Sequence, residues 1–413
     1  MKIWIVNPQT GSPEKAANPR YLKLAHYFME AGHEVITFNS SQRENITIPD
    51  GKKYLEQQYG EYKFVHVFAP DFMGNGVKRM LSLYTFAKNM ARISKQFDRP
   101  DVILQNIHPP FDYPIVKLAK KLKCKYIAEA WDLWPEDFVT FGLIGRKNPA
   151  LKVAYAIEKK YYYAADDIIF TFLGAFDYLK RQGWMKEQGG KIDPAHLHYI
   201  NNGIDLDEFE KNKVAHPRED ADINDATLTK IVYLGSINKA NNIKTLIDAA
   251  ALMQDMNNCR FFIYGNGSYR PELEQYVKNN HIDNVVFKET RIPLEECAWV
   301  VSQATVNVMN YEKKFGWAGV SSGKMFQYLA AGKPIVCNID IAYDNVIEDN
   351  NLGVAKDLDT PEEFAMAIRT LIQQPKASYD AMCERVREVA KRFDYMVLAA
   401  KELEIIENAV RAD

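Results

Sequence analysis

The sequence predicts an α/β protein made of two doubly wound domains. Three observations predict it. Short apolar runs alternate with helical patterns along the chain. A polar stretch interrupts that alternation near the middle. The 413 residues exceed one average core and suit two.

The elements follow in order. Ile3–Val6 (IWIV) is a strand, and a helix runs from about Asn18 to Ala31. Glu34–Phe38 (EVITF) is the next strand, and runs starting at Lys63, Asp101, Lys125 and Asp166 add others, mostly with helices between. The pattern weakens between Lys186 and Asp193 and restarts at HLHYI. The hinge is placed near Asn201–Asp207. A second set opens at KIVYLG (from Lys230), with a helix over Asn242–Met253. RFFIYGNG (from Arg260), Asn284–Phe287, Thr305–Met309 and Pro334–Cys337 continue it. The domains are thus residues 1–200 and 205–392, with a final helix at about 393–413 packing back on the first. Ligands of open α/β sheets bind beyond the carboxyl ends of strands, so the chemistry is expected in the loops there, around a central cleft.

Composition narrows the function. Apolar residues make up 47% and charged residues 26%, and the formal net charge is −2, which disfavours a general nucleic-acid partner. Five scattered cysteines without a CxxC pair point to no disulfide framework and no zinc site, and fit a reducing, cytoplasmic compartment. MKIWIVNPQ reads as a strand and not as a signal peptide, and no run is apolar and long enough to span a membrane.

The densest signal is Trp317–Val336, WAGVSSGKMFQYLAAGKPIV. Ser321, Ser322 and Gly323 lead into a helix that Gly332 and Pro334 end near Ala331. Lys324 sits in its first turn. Free N–H groups, the positive end of a helix dipole and an ammonium make an anion site. The plainer reading of SSGK is an ordinary helix start. Lys239, after KIVYLG, can reach the same anion if the strand order brings the loops together. Asn266-Gly267 follows a further strand as a tight turn, and Arg291-Ile292 follows another, either beside a flat heterocycle or as a plain connector. There is no GxGxxG and no complete Walker A loop.

In the first half, Gly11 and Ser12 either admit a ligand to the backbone or only turn the chain. Glu129–Glu136 (EAWDLWPE) gathers two tryptophans and three carboxylates. Trp131 and Trp134 suit a sugar ring, and Glu129 or Asp132 its hydroxyls; core packing is the competing role. His108 precedes two prolines and is either catalytic or structural. In Asp71–Phe97, Met80, Leu83, Tyr84, Ala87 and Ala91 form an apolar stripe beside Lys78, Arg79, Lys88, Arg92 and Lys95. This suits a helix lying on an anionic membrane, or a core helix with a basic face.

Four stretches carry a resemblance to the family-4 retaining glycosyltransferases of the GT-B fold, nearest to the bacterial branch that builds capsule, O-antigen or exopolysaccharide. They are GSPEKAANPRYLKLAHYFMEAGHEVITF, EAWDLWPEDFVTFGLI, YINNGIDLDEF and GVSSGKMFQYLAAGKPIV. The resemblance implies a nucleotide-sugar donor, UDP-linked, on the second domain and a polyprenyl-diphosphate-linked glycan acceptor against the first. It implies a protein on the inner face of the cytoplasmic membrane that retains anomeric configuration with no metal and no cofactor. It implies Ser322, Gly323 and Lys324 at the diphosphate with Lys239, Gln327 at the ribose, Arg291 and Ile292 at the base, Gly11, Ser236 and Gly267 near the donor, and His108, Glu129, Trp131 and Asp132 near the acceptor or sugar. Asp205-Leu206-Asp207 mimics a metal-binding triplet but falls within the hinge motif. The chain also departs from the pattern. Gly319 and Gln327 stand where two glutamates are usual, Ser236 and Asn241 where Arg and Lys are usual, and Trp131 where His or Arg precedes DLWP. A GT-B-fold epimerase and a non-catalytic sugar-binding subunit are therefore the alternatives.

Overall fold

The structure, a computed structural model, describes residues 1–15, 19–72, 74 and 76–412. The expected helix start at Asn18 lies outside the described residues, as do Met73 and Asn75 of the basic-apolar stretch. The chain divides into two compact units, Met1–Asn201 with the segment from Tyr395 onward, and Asn202–Asp394.

The first unit is built on β1 (Lys2–Val6), β2 (Glu34–Ser40), β3 (Tyr54–Tyr59), β4 (Tyr62–Val67), β5 (Val102–Asn106), β6 (Lys125–Ala130), β7 (Asp167–Phe170) and β8 (Leu197–Tyr199). Their order is β3-β4-β2-β1-β5-β6-β7-β8, parallel except for the β3–β4 pair. That pair is a hairpin turning at Gly60, whose φ of 56° favours glycine. β3 was not expected: its YLEQQY is largely exposed and lacks the buried alternation of its neighbours. The order reverses between β1 and β5, so the loops after Val6 and Asn106 meet at a switch point.

The helix Tyr395–Arg411 packs on the helix Arg20–Glu30. Tyr395, Leu398, Ala399 and Ile406 share one cluster with Tyr21, Leu24, Ala25 and Phe28. Within this apolar contact lies a fully buried guanidinium. Arg20 Nε donates to Glu129 at 2.7 Å, Nη1 to the carbonyl of Asn201 at 2.7 Å and Nη2 to Glu402 at 2.9 Å. Three paired directions keep that buried charge tolerable.

The second unit is built on β9 (Thr229–Leu234), β10 (Cys259–Tyr264), β11 (Val285–Phe287), β12 (Val306–Met309), β13 (Ile335–Cys337) and β14 (Gly353–Ala355). All pairs are parallel, in the order β11-β10-β9-β12-β13-β14. This is the strand order of a Rossmann sheet, with its switch point between β9 and β12. Ile231, Val232 and Tyr233 are buried on both faces of the sheet, as expected where helices cover both sides. Asp205 caps the helix Leu206–Ala215, accepting from the N–H of Glu208 at 2.8 Å; the DLD triplet is thus a helix start.

Candidate active site

Backbone contacts first bring three loops together at the carboxyl ends of β9, β10 and β12. A Cβ on Gly265 would lie 1.8 Å from the carbonyl oxygen of Gly235, and one on Gly267 would lie 2.0 Å from that of Ile237. Gly265 has φ 124°, so both sterics and conformation call for glycine there. The N–H of Ile237 donates to the carbonyl of Asn266 at 2.8 Å and closes the contact. After β12, the Asn310 side chain donates to the Asn241 carbonyl at 2.9 Å, and Asn338 brackets Tyr311 through its N–H (2.8 Å) and carbonyl (2.9 Å).

The helix Gly323–Ala330 starts against this frame. Ser322 occupies its N-cap position in extended conformation without capping through its side chain. The first N–H groups of the helix therefore look outward, and the space over Gly323 is open. Ser321 is held by Asn202, whose N–H and side-chain amide reach its hydroxyl at 3.1 and 2.9 Å.

Lys324 turns inward from the first helical turn. Its ammonium lies 4.8 Å from the Tyr233 ring centroid and 4.7 Å from that of Tyr311. The nearest oxygens are the Tyr233 hydroxyl at 3.3 Å and Asn241 Oδ1 at 3.4 Å. Two aromatic faces partly replace lost hydration. Among the described residues no carboxylate forms an ion pair with it, and burial pushes its pKa down to about 8. The strand-end glycine makes this route possible, since a Cβ on Gly235 would lie 3.0 Å from Lys324 Cδ and 3.3 Å from Nζ.

Ser236 joins the same corner: its hydroxyl accepts from Asn241 at 3.2 Å and its carbonyl from the Tyr233 hydroxyl at 2.8 Å. Gln327 lies one turn beyond Lys324 on the same helix, half-buried. Ile292 packs beside Phe262, Tyr264 and Trp299, and Arg291 next to it is exposed. Lys239 behaves differently from Lys324. It is exposed, in a short turn, with its ammonium 6.0 Å over the Tyr269 ring. Gly319 has φ 107°, so the loop holds a conformation that a glutamate would adopt only with strain. Tyr233, Tyr311 and Gly235 had no place in the expected site. A tyrosine in a buried strand reads as core, and only the register shows that its hydroxyl reaches the strand end.

In the first unit the expected residues separate. Glu129 is fully buried, and both its oxygens are engaged, one by Arg20 and one by the Tyr21 hydroxyl. It therefore works inside the core and has no oxygen left for a sugar. Trp131 stacks on Tyr21, with centroids 5.2 Å apart at 26°. Gly11 is buried in the loop after β1, which Glu44 fixes by accepting from the Ser12 N–H at 2.7 Å and hydroxyl at 2.9 Å. The remaining residues gather at the ends of β5 and β6. His108 Nδ1 lies 3.4 Å from Asp112, and its ring meets Trp134 edge-on at 6.2 Å. The Arg79 guanidinium lies 5.9 Å over the Trp134 ring. Loss of hydration raises the Asp132 carboxyl from its ordinary value, with His108 and Arg79 opposing. Among the described residues no group of three or more His, Cys, Asp or Glu is placed to hold a metal ion.

The expected apolar stripe on the helix Val77–Ile93 divides. Leu83 and Ala87 are core residues, whereas Met80 and Tyr84 are exposed together with Val77 and Leu81. The reason is angular: a stripe of that width is shared between the core and the surface beside it. Among the described residues no helix is long and apolar enough to cross a membrane.

Two parallel-sheet units, one with Rossmann order and a half-buried lysine at its switch point, define a GT-B-type architecture. Residues 20–208 match the model of the family described as Glycosyltransferase Family 4, and residues 229–374 match that described as Glycosyl transferases group 1. The two ranges take in most of the chain, and the protein is a glycosyltransferase of GT-B type carrying both domains. No curated protein sequence matches it. The structure of Anabaena Alr3699/HepE in complex with UDP-glucose aligns over 99% of this chain and 100% of its own, with a TM-score of 0.65 at 14% identity. A glycosyltransferase from Rickettsia africae ESF-5 aligns over 100% of this chain and 99% of its own, at 0.66 and 14%. A UDP-forming α,α-trehalose-phosphate synthase from Burkholderia vietnamiensis does so over 100% and 99%, at 0.71 and 12%. At such identities the likeness concerns the fold.

Proposed function

We propose that the protein transfers a sugar from a UDP-linked donor to a growing cell-surface glycan precursor on a polyprenyl-diphosphate carrier, with retention of anomeric configuration. The observation that carries the donor half is the Lys324 ammonium, caged by two tyrosines, with no carboxylate ion pair among the described residues, at an open helix N-terminus over a switch point. Half-buried positive charge with no carboxylate paired to it among the described residues is what a diphosphate leaving group needs, because charge grows on that group as the glycosidic bond breaks. Ser322 and Gly323 offer N–H groups to the same oxygens, and Gln327 offers an amide to the ribose. Arg291 and Ile292 border the base. Lys239 approaches from its exposed turn once the donor is bound. The HepE and trehalose-phosphate synthase structures, described with UDP-glucose and as UDP-forming, support a UDP donor.

The acceptor half rests on His108, Asp132 and Arg79 at the strand ends of the first unit, and on the basic-apolar helix beside them. Trp131 and Glu129 act there only through packing. The carrier lipid, the inner membrane face, retention and metal independence come from the resemblance to the polysaccharide-building branch. A thermal-shift screen against UDP, GDP, CMP and their sugar conjugates tests the donor reading, repeated with Lys324→Ala. A shift with UDP compounds that the variant loses supports it. No shift with any nucleotide sinks it and favours a non-catalytic subunit. Persistence of sugar transfer in excess EDTA tests metal independence.

A further inference from the structure

Among the described residues, every buried aspartate or glutamate lies in the first unit, whereas the second unit buries six asparagines and no carboxylate. Acids accordingly fix loops in the first unit, as Glu44 fixes Ser12. Around Lys324 carboxamides take that part. Asn338 brackets the backbone of Tyr311, whose ring faces the ammonium. Asn310, fully buried just past the end of β12, donates to the carbonyls of both Asn241 and Asn242. It thereby ties the turn after β9 to the neighbouring strand across the switch point. The N–H of Glu312 closes the same joint on the Ala240 carbonyl at 2.9 Å. Asn310 Oδ1 has no hydrogen-bond partner among the described residues, so its donors alone account for its place.

Asn241 is the member of this frame that touches the ammonium. Its side chain is buried, and Nδ2 donates to Asn238 Oδ1 at 2.9 Å and to Ser236 Oγ at 3.2 Å. Oδ1 accepts from Lys324 Nζ at 3.4 Å. Two acceptors therefore hold the amide end, and the oxygen end meets a group that can only donate. An aspartate has the same shape and would form an ion pair with the lysine. Any incoming anion would then have to displace that carboxylate. The carboxamide gives the hydrogen bond its direction and adds no countercharge.

We propose that Asn241 is the positioning residue for Lys324: its carboxamide, held by Asn238, Ser236 and Asn310, fixes the ammonium at the head of the helix Gly323–Ala330 and leaves its charge for a diphosphate. This deepens the donor reading and rests on it for the identity of the anion. The other titratable groups that face the ammonium are Tyr233 on β9, Tyr311 past β12 and Cys337 at the end of β13. Burial raises both tyrosines and pushes the Cys337 thiol up to about 12. Of these groups only Lys324 titrates between about pH 7 and 10.

The test uses the full chain, first without ligand and then with UDP. Protein made with lysine labelled at Cε gives a Lys324 resonance, assigned by its absence from Lys324→Met, and NMR follows its titration. Asn241→Asp keeps the local hydrogen bonds, since the Ser236 hydroxyl can turn to donate and the Asn238 amide can flip. It should move the Lys324 midpoint from about 8 to about 9–10. It should also weaken UDP binding about tenfold by calorimetry at neutral pH, and carry the loss of UDP affinity with rising pH upward with the midpoint. Asn241→Ala removes the oxygen and adds no charge. It should lower the midpoint and weaken UDP binding about threefold. A side chain with a merely structural role would leave the midpoint where it is. An unmoved midpoint in folded Asn241→Asp, or wild-type UDP affinity in either variant, overturns the proposal; Asn241→Ala decides alone if Asn241→Asp does not fold. Midpoints that move as stated in a protein that binds no nucleotide would sink the donor reading and leave the steering of the ammonium standing. UDP binding with midpoints that stay fixed would do the reverse.

Discussion

Lys324 is placed at a cost to the folded protein. Its ammonium titrates near 8 when folded and near 10.5 when unfolded, because burial disfavours its charge. The unfolded chain keeps the proton to higher pH, so this group makes stability rise between about pH 8 and 10.5, and its full penalty applies at neutral pH. Lys324→Met is expected to stabilise the ligand-free protein by about 1–3 kcal/mol at pH 7, read by urea unfolding, and to abolish the UDP shift. A diphosphate beside the ammonium raises its pKa, so binding takes up a proton. UDP affinity should accordingly fall as pH rises from 7 to 9, with calorimetry in two buffers reporting the proton; a flat profile would refute the role. Gly235→Ala crowds the same side chain and should weaken UDP binding about tenfold, or ~1.4 kcal/mol, with little change in folding. That Ser322, Gly323 and Lys324 open a helix was legible in sequence because helix-start chemistry is local. Tyr233 and Tyr311 were not, because their rings meet the lysine only through the pairing of β9 with β12.

Between elements, the contact of greatest consequence is the helix Tyr395–Arg411 on the helix Arg20–Glu30. Two carboxylates, Glu129 and Glu402, share the Arg20 guanidinium in the interior. Burial, with Glu129 adding to it, pushes Glu402 up to about 8, and Arg20 opposes. The folded state therefore binds a proton that the unfolded state has released above about 4.5, and this group's contribution to stability declines as pH rises from 4.5 through 8. Glu402→Gln should flatten that decline and leave the variant relatively more stable at pH 8, as measured by denaturant midpoints. Arg20→Met leaves buried Glu129 and Glu402 without their shared guanidinium and should cost about 3–5 kcal/mol. A loss under 1 kcal/mol would show the network to be dispensable. The helices and inner strands could be read from apolar periodicity. The edge strand β3 could not, because its exposed residues carry no buried alternation, and Glu129 could be read as a sugar contact because a carboxylate at a strand end looks the same in sequence whether it faces solvent or an arginine.

For the molecule as a whole, two α/β units followed from the interrupted alternation and from the length. Strand order did not, since periodicity says nothing about which strand lies beside which. The division predicts that UDP protects backbone amides within Asn202–Asp394 and leaves those of Met1–Asn201 exchanging as before, as hydrogen exchange with mass spectrometry would show. Protection spread evenly over both would place the nucleotide elsewhere.

The buried arginine also bears on how the chain is made. Arg20 and its partner Glu402 are 382 positions apart, so a ribosome that has released Met1–Asn201 has not yet supplied the carboxylate or the helix that cover this core. The later unit, contiguous in sequence, can close as it emerges. Biosynthetic order is thereby inverted: the segment translated first matures last, and until then its guanidinium lacks the second of its two carboxylates and the apolar face around it is open to whatever meets nascent chains.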